Sequence, residues 1–177
     1  MAANKIKEAF GKDYELLKEM PDYEKALKLA KVMFKDIKDK EGKDYIEHLL
    51  FVSNAQDTVD GKIVGLLHDI VEDIKVTFPQ LAELGFSERI LSSLILLTRV
   101  GSTSYSEYID NILNSNDYVA IKVKEADMRN NLDPERLKNL SPEQQEHFNN
   151  KYSKQYEKIK KKIEEIENDR YQTNKRK

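Results

Sequence analysis

Residues 66–73 read LLHDIVED, and four of these eight positions are ionisable: His68, Asp69, Glu72 and Asp73. Imidazole and carboxylate together suit a divalent metal, and further carboxylates beside them can orient an attacking water or move its proton. On a helical wheel at about 100° per residue, Ile63, Val64, Leu66, Leu67, Ile70 and Val71 gather on one side. The pairs 68/72 and 69/73, each four apart, gather on the other. Alone, this segment reads equally well as an amphipathic helix with a solvated acidic face.

Two more segments bear on the choice. In YIEHLLFV, residues 45–52, His48 shares its face with Tyr45, Phe51, Val52 and Ala55. Taken singly, such a histidine is a core residue. In VAIKVKEADMRNN, residues 119–131, Lys122, Glu125 and Arg129 form the wet face, but Asp127 falls among Val119, Ala120 and Val123. Burying an ionised carboxylate costs on the order of several kcal/mol unless a cation or donors compensate it. Lys124 lies close enough on the wheel to form that ion pair. One bound metal accounts for all three oddities. His48, His68, Asp69 and Asp127 make a nitrogen–oxygen ligand set that suits Mn²⁺ or Fe²⁺ in a roughly octahedral site open to water, with Co²⁺ and Zn²⁺ as alternatives. The remaining histidine, His147, reads as surface, so a second histidine-built site is not expected.

The elements that must position these residues are helical. Helices are expected over 3–19, from Pro21 to about Lys35, and over about Tyr45–Gln56 and Gly61–Ile74. A short one follows Thr77 and ends near Gly85, and others start at Ser87, Ser104 and about Asp117, the last reaching Leu132. Pro134 breaks the pattern, and Ser141-Pro142-Glu143 opens a long charged helix to about Glu167. No convincing alternating strand pattern, internal repeat or linker is visible. The expected fold is all-α: a single domain over 1–177 with its core at about 22–140, a C-terminal helix at about 141–168 and a frayed basic tail.

Composition narrows the function classes. Of the 177 residues, 35% are charged and 39% hydrophobic, which suits a helical protein with many exposed faces. The net charge of −2 argues against a dedicated nucleic-acid binder, and the runs KIKKK and NKRK read as solvated. The absence of Cys excludes disulfides, thiolate zinc sites and cysteine nucleophiles. No signal peptide or bilayer-length apolar run is seen, so a cytoplasmic location is the expectation. Tyr152, Tyr156, Ile159, Ile163 and Ile166 form a stripe for packing on the domain or for a homo-oligomer contact.

Taken together, His48 in a Tyr-x-x-His setting, HD followed by ED at 68–73, and Asp127 with Asn131 four residues on resemble the HD-domain phosphohydrolases. Within them, the likeness is to the hydrolase domain of RelA/SpoT-type enzymes and their small single-domain relatives, over about residues 40–135. LLTR at 96–99 is similar to that group's Val-Thr-Lys segment, and VKEADMRNN at 123–131 to its Ile-Lys-Leu-Ala-Asp-Arg-Leu-His-Asn element. The resemblance implies removal of the 3′-pyrophosphate from (p)ppGpp, with a metal, commonly Mn²⁺, held by His48, His68, Asp69 and Asp127. It implies Glu72 and Asp73 as catalytic acids and Asn131 as a substrate contact. Lys40 and Lys43 fall in the segment that meets the guanine base, and Lys124 matches a lysine that precedes the group's aspartate. Lys40, Lys43, Arg99 and Lys124 are the candidate phosphate partners, and Thr98, Tyr105 and Tyr108 candidate walls of a base or ribose pocket. The chain departs from the group in having Met128 for Arg, Asn130 for His and Asp39 for Arg. The alternatives are an HD-type phosphohydrolase of another nucleotide or cofactor phosphate, and a catalytically silent helical module that binds nucleotide or protein.

Overall fold

In the computed structural model, residues 4–175 are described. They form eleven α-helices and a 3-10 turn, with no strand among the described residues beyond one isolated bridge between Lys38 and Asp44. The helices are α1 (Lys5–Phe10), α2 (Tyr14–Glu19), α3 (Asp22–Met33), α4 (Tyr45–Asn54), α5 (Val59–Leu67) and α6 (Phe78–Glu83). After them come α7 (Glu88–Leu97), α8 (Tyr105–Asn114), α9 (Tyr118–Asn131), α10 (Pro134–Leu137) and α11 (Pro142–Lys175). No described helix is long and apolar enough to cross a membrane.

Several starts sit where the capping residues place them. Ser87 Oγ accepts from Ile90 N at 3.3 Å, and Ser104 with Glu107 forms a reciprocal capping box. Asp117 Oδ1 caps α9 at Ala120 N, 3.1 Å away, while its carboxylate also takes two bonds from Arg89 at 2.6 and 3.0 Å.

Three boundaries differ from expectation. The helix expected over 3–19 breaks at Gly11, whose φ of +51° only glycine adopts cheaply, and a 3-10 turn leads into α2. The C-terminal helix does not stop near Glu167 or fray from Thr173. It continues to Lys175, held by Tyr118 Oη donating to Glu167 Oε1 at 2.6 Å and by Arg170 stacked 3.9 Å from the Tyr118 ring centroid. Of the expected basic tail, Arg176 and Lys177 lie outside the described residues. Most consequentially, α5 ends at Leu67 rather than Ile74, and residues 68–74 continue as successive turns. His68 Nδ1 donates to Gly65 O at 2.8 Å, the carbonyl that a continuing helix would offer to the Asp69 amide. The turns keep bonds from Ile70 N to Leu67 O and from Asp73 N to Asp69 O, at 3.0 and 2.9 Å. His68, Asp69, Glu72 and Asp73 therefore stand on a compact turn at the end of a buried helix.

That helix is the hub of the core. It packs against α3, α4, α7 and α9, and Ile63, Val64, Leu66 and Leu67 are essentially inaccessible. The approach to α4 is tightest at Gly65, where an added Cβ would lie 2.9 Å from both Cα and N of Ser53. Backbone cannot move aside as a side-chain tip can. We predict that Gly65→Ala destabilises the protein by about 1–3 kcal/mol, the scale of overpacking. That outweighs the gain of about 1 kcal/mol in helix propensity. Urea unfolding measures the difference, and an unchanged or raised midpoint contradicts the close-approach argument.

Candidate metal centre

Four side chains from three parts of the chain converge beneath one cavity. His48 comes from the middle of α4, His68 and Asp69 from the turn after α5, and Asp127 from the last turn of α9. His68 Nε2 lies 3.0 Å from Asp69 Oδ2 and 4.0 Å from Asp127 Oδ1. His48 Nε2 lies 3.3 Å from Asp127 Oδ1 and 3.8 Å from Asp69 Oδ2. His48, His68 and Asp69 each offer one ligand atom within 4.8 Å of the others. Both imidazoles and Asp127 are buried, at 6%, 3% and 6% exposure respectively.

The donor set fits a divalent ion. Ligands bound at about 2.1 Å stand about 3.0 Å apart when adjacent in an octahedron and about 4.2 Å apart when opposed. All four nitrogen–oxygen separations fall in that span. His68 Nε2 and Asp69 Oδ2 stand 3.0 Å apart, the spacing of adjacent ligands. Each ring is also held by its other nitrogen. Gly65 O can only accept, so His68 Nδ1 carries a proton and Nε2 is the nitrogen that faces the cluster. His48 Nδ1 meets Asn130 Oδ1 at 2.7 Å.

The carboxylates are oriented too. Tyr45 Oη donates to Asp69 Oδ2 at 2.7 Å. Asp127 accepts from Lys124 Nζ at Oδ2 and from Asn131 Nδ2 at Oδ1, both at 2.7 Å. Burial alone would push Asp127 up, but Lys124, the His48 hydrogen bond and both imidazoles hold it well below the usual carboxylate range. Lys124 is raised in turn, because Asp127 outweighs burial. Asp69 is lowered to about 2, since the charge and hydrogen bond of His68 outweigh both burial and Asp127. Burial would lower His68, yet Asp69 and Asp127 raise it to about 9. Asp73 is raised by burial and by the charges of Asp69 and Glu72.

Above this cluster opens a cavity of about 690 Å³. Glu72 and Asp73 line it, and Arg99 N donates to Glu72 Oε1 at 2.5 Å. Among the residues expected to meet substrate, Lys40, Arg99, Lys124 and Asn131 line the cavity, as do Tyr105 and Tyr108. Lys43 does not. Its ammonium pairs with Glu41 Oε1 at 3.2 Å. Thr98 is also outside the wall, its hydroxyl bonded to Leu94 O at 2.8 Å. Asn131 and Lys124 both hydrogen-bond the Asp127 carboxylate. Lys40 sits 4.4 Å from the Phe148 ring centroid.

The sequence reading missed Tyr45, Asn130 and Arg136 around the ligands, and Phe148, Lys151 and Tyr152 of α11 in the wall. Lys151 lies 5.0 and 4.7 Å from the Tyr105 and Tyr152 ring centroids, and is lowered by burial and by Lys124, Lys40 and Arg99. Tyr45 stands one turn before His48, a usable signal. The others are brought in by tertiary packing and left no pattern to read.

The all-helical fold of the chain is shared with a solved structure. The chain is similar to the solved structure of a metazoan ortholog of SpoT, a protein that hydrolyzes ppGpp and plays a role in starvation responses. The TM-score is 0.66 and the identity 21%, over 85% of this chain and 96% of that one. No family model and no curated protein sequence matches the chain.

A divalent ion must displace the proton that keeps His68 charged. We therefore predict that Mn²⁺ affinity rises with pH towards about 9, by up to about tenfold per unit, and levels off above. In the metal-free protein the sign is reversed. A raised histidine stabilises the fold fully below its unfolded pKa of about 6.5, and that contribution fades as pH climbs to about 9. Mn²⁺ titration and urea unfolding across pH 6–10 test the pair of slopes; flat profiles contradict it.

Proposed function

We propose that this chain is a divalent-metal-dependent phosphohydrolase acting on a nucleotide, and that its substrate is (p)ppGpp, from which it removes the 3′-pyrophosphate. The observation that carries the reading is the convergence of His48, His68, Asp69 and Asp127 under a cavity that also holds Glu72 and Asp73. The fold shared with a ppGpp-hydrolyzing protein supports the substrate.

The four ligands would hold one ion, Mn²⁺ first among the candidates. Such an ion supplies a nucleophile at neutral pH and relieves charge on the phosphoryl oxygens. The chain's own residues do the rest. In the hydrolysis, water adds to the phosphorus attached to O3′ and the P–O3′ bond breaks. One proton leaves the water and one arrives at O3′. Glu72 is fixed by the Arg99 amide and acts as acceptor for the water's proton. Asp73, whose proton is held more tightly than usual, is the donor to the leaving oxygen. Lys40, Arg99 and Lys151 line the wall without an ion pair among the described residues, which leaves them for the substrate's phosphates. The Tyr105, Phe148 and Tyr152 rings beside them suit the base and ribose.

Purified protein is to be tested with Mn²⁺ on a nucleotide panel that includes ppGpp. Release of pyrophosphate and GDP, abolished by chelation, is expected; turnover of other nucleotides alone rejects the alarmone assignment. Glu72→Gln should keep the metal while slowing turnover at least about 100-fold. An unaltered rate removes Glu72 from the chemistry. Asp127→Asn should lose both Mn²⁺ retention and turnover; full retention refutes the ligand set.

A further inference from the structure

Asn130 Oδ1 is shared by two neighbours. His48 Nδ1 lies 2.7 Å from it, and Arg136 Nη1, from α10, donates to the same atom. Arg136 has no freedom of its own. Its Nη2 meets Asp39 Oδ2 at 2.8 Å and its Nε meets Glu41 Oε2 at 2.6 Å. Those carboxylates are pinned as well. Asp39 Oδ1 accepts from the amides of Glu41 and Lys43 at 2.9 and 3.0 Å, and Glu41 Oε1 accepts from Asn139 Nδ2 at 2.9 Å.

An amide side chain offers a donor or an acceptor according to which way it faces. A guanidinium only donates, so the amide of Asn130 must turn its oxygen towards Arg136. That same oxygen faces His48. The imidazole must then carry a proton on Nδ1, so that Nε2, which faces Asp69 and Asp127, is the nitrogen a divalent ion can take. With Asn130 reversed, its NH₂ group would face His48 Nδ1 and favour the proton on Nε2, where it would block an ion.

We propose that Arg136 is a positioning residue for the metal centre: through Asn130 it sets the His48 tautomer that leaves Nε2 open to a divalent ion. The loop at 38–44, which also carries Lys40 to the cavity, is thereby tied to the ligand shell through Asp39 and Glu41. This inference rests on the metal reading above but is tested separately from it.

The test uses the full chain with Arg136→Met, Arg136→Lys, Asn130→Ala and the double variant Arg136→Met/Asn130→Ala. Arg136→Lys keeps a positive charge between Asp39 and Glu41, which guards the fold, but lacks the fork that reaches Asn130 as well. Mn²⁺ affinity is measured by titration. The ring spectrum of His48 is recorded by ¹⁵N NMR on metal-free protein. The wild type should show a slowly exchanging His48 Nδ1–H, which both Arg136 variants lose, together with a fall of about 10–100-fold in Mn²⁺ affinity. Asn130→Ala should do the same, and the double variant should be no worse than either single one, because both act along one path. Wild-type affinity with the Nδ1–H retained in both Arg136 variants overturns the proposal, as do losses that simply add in the double variant. If the wild type binds no Mn²⁺, the metal reading fails and the His48 ring signal alone decides: its persistence in Arg136→Met refutes the relay, and its loss upholds it.

Discussion

The centre of this molecule is an unpaired-charge problem solved at Asp127. A buried carboxylate cannot remain ionised without compensation, and here it receives an ammonium, an amide and two imidazoles within 4.0 Å. In the metal-free state Asp69 and Asp127 are balanced by Lys124 and a protonated His68. Binding a divalent ion expels that one proton, so the buried cluster gains about one net positive charge. That gain would sit directly under a cavity whose cations without an ion pair among the described residues include Lys40, Arg99 and Lys151. An anion entering from above would meet a field that such an ion strengthens, beside the carboxylates of Glu72 and Asp73.

Holding that cluster together is chiefly the work of α4, α5 and α9. Gly65 serves twice: it lets α5 approach α4 within contact of the Ser53 backbone, and its carbonyl anchors the His68 ring. Close approach brings the His48 and His68 ring centroids to 5.4 Å. Ending the helix at Leu67 frees the next turn to curl over the cluster, so that Asp69 points at the ligand shell while Glu72 and Asp73 reach the cavity.

Much of this was legible before any coordinates. Helix starts are declared locally, by Ser87, Ser104 with Glu107, and Asp117, whose side chains bond amides three residues on. The convergence of His48 and Asp127 on His68 and Asp69 was legible because polar residues on apolar stripes, at 48 and 127, are energetically conspicuous. The end of α5 was not, because residues 68–74 turn with nearly helical spacing and the apolar–polar alternation runs on unbroken through Asp73. The wheel drawn for a helix still sorted those side chains correctly for the same reason. That Lys43 stands outside the cavity wall was not legible, because the direction of a loop side chain leaves no periodic mark in the sequence. Arg136 and Lys151 are ordinary basic residues in a chain rich in them, and only packing distinguishes them.

Two departures from the RelA/SpoT-like pattern, Asp39 for Arg and Asn130 for His, look unrelated in the sequence, 91 positions apart. In space they are the two ends of one guanidinium. Asp39 receives Arg136, which brings a positive charge to the same wall of the cavity. Asn130 has no intrinsic preference for facing His48 with oxygen or nitrogen, an ambiguity that Arg136 removes. Each substitution alone would leave a cost: an acid without a partner in one case, an undirected amide beside a metal ligand in the other. Joined through Arg136 they compensate, so Asp39 and Asn130 act as one support for the His48 ring.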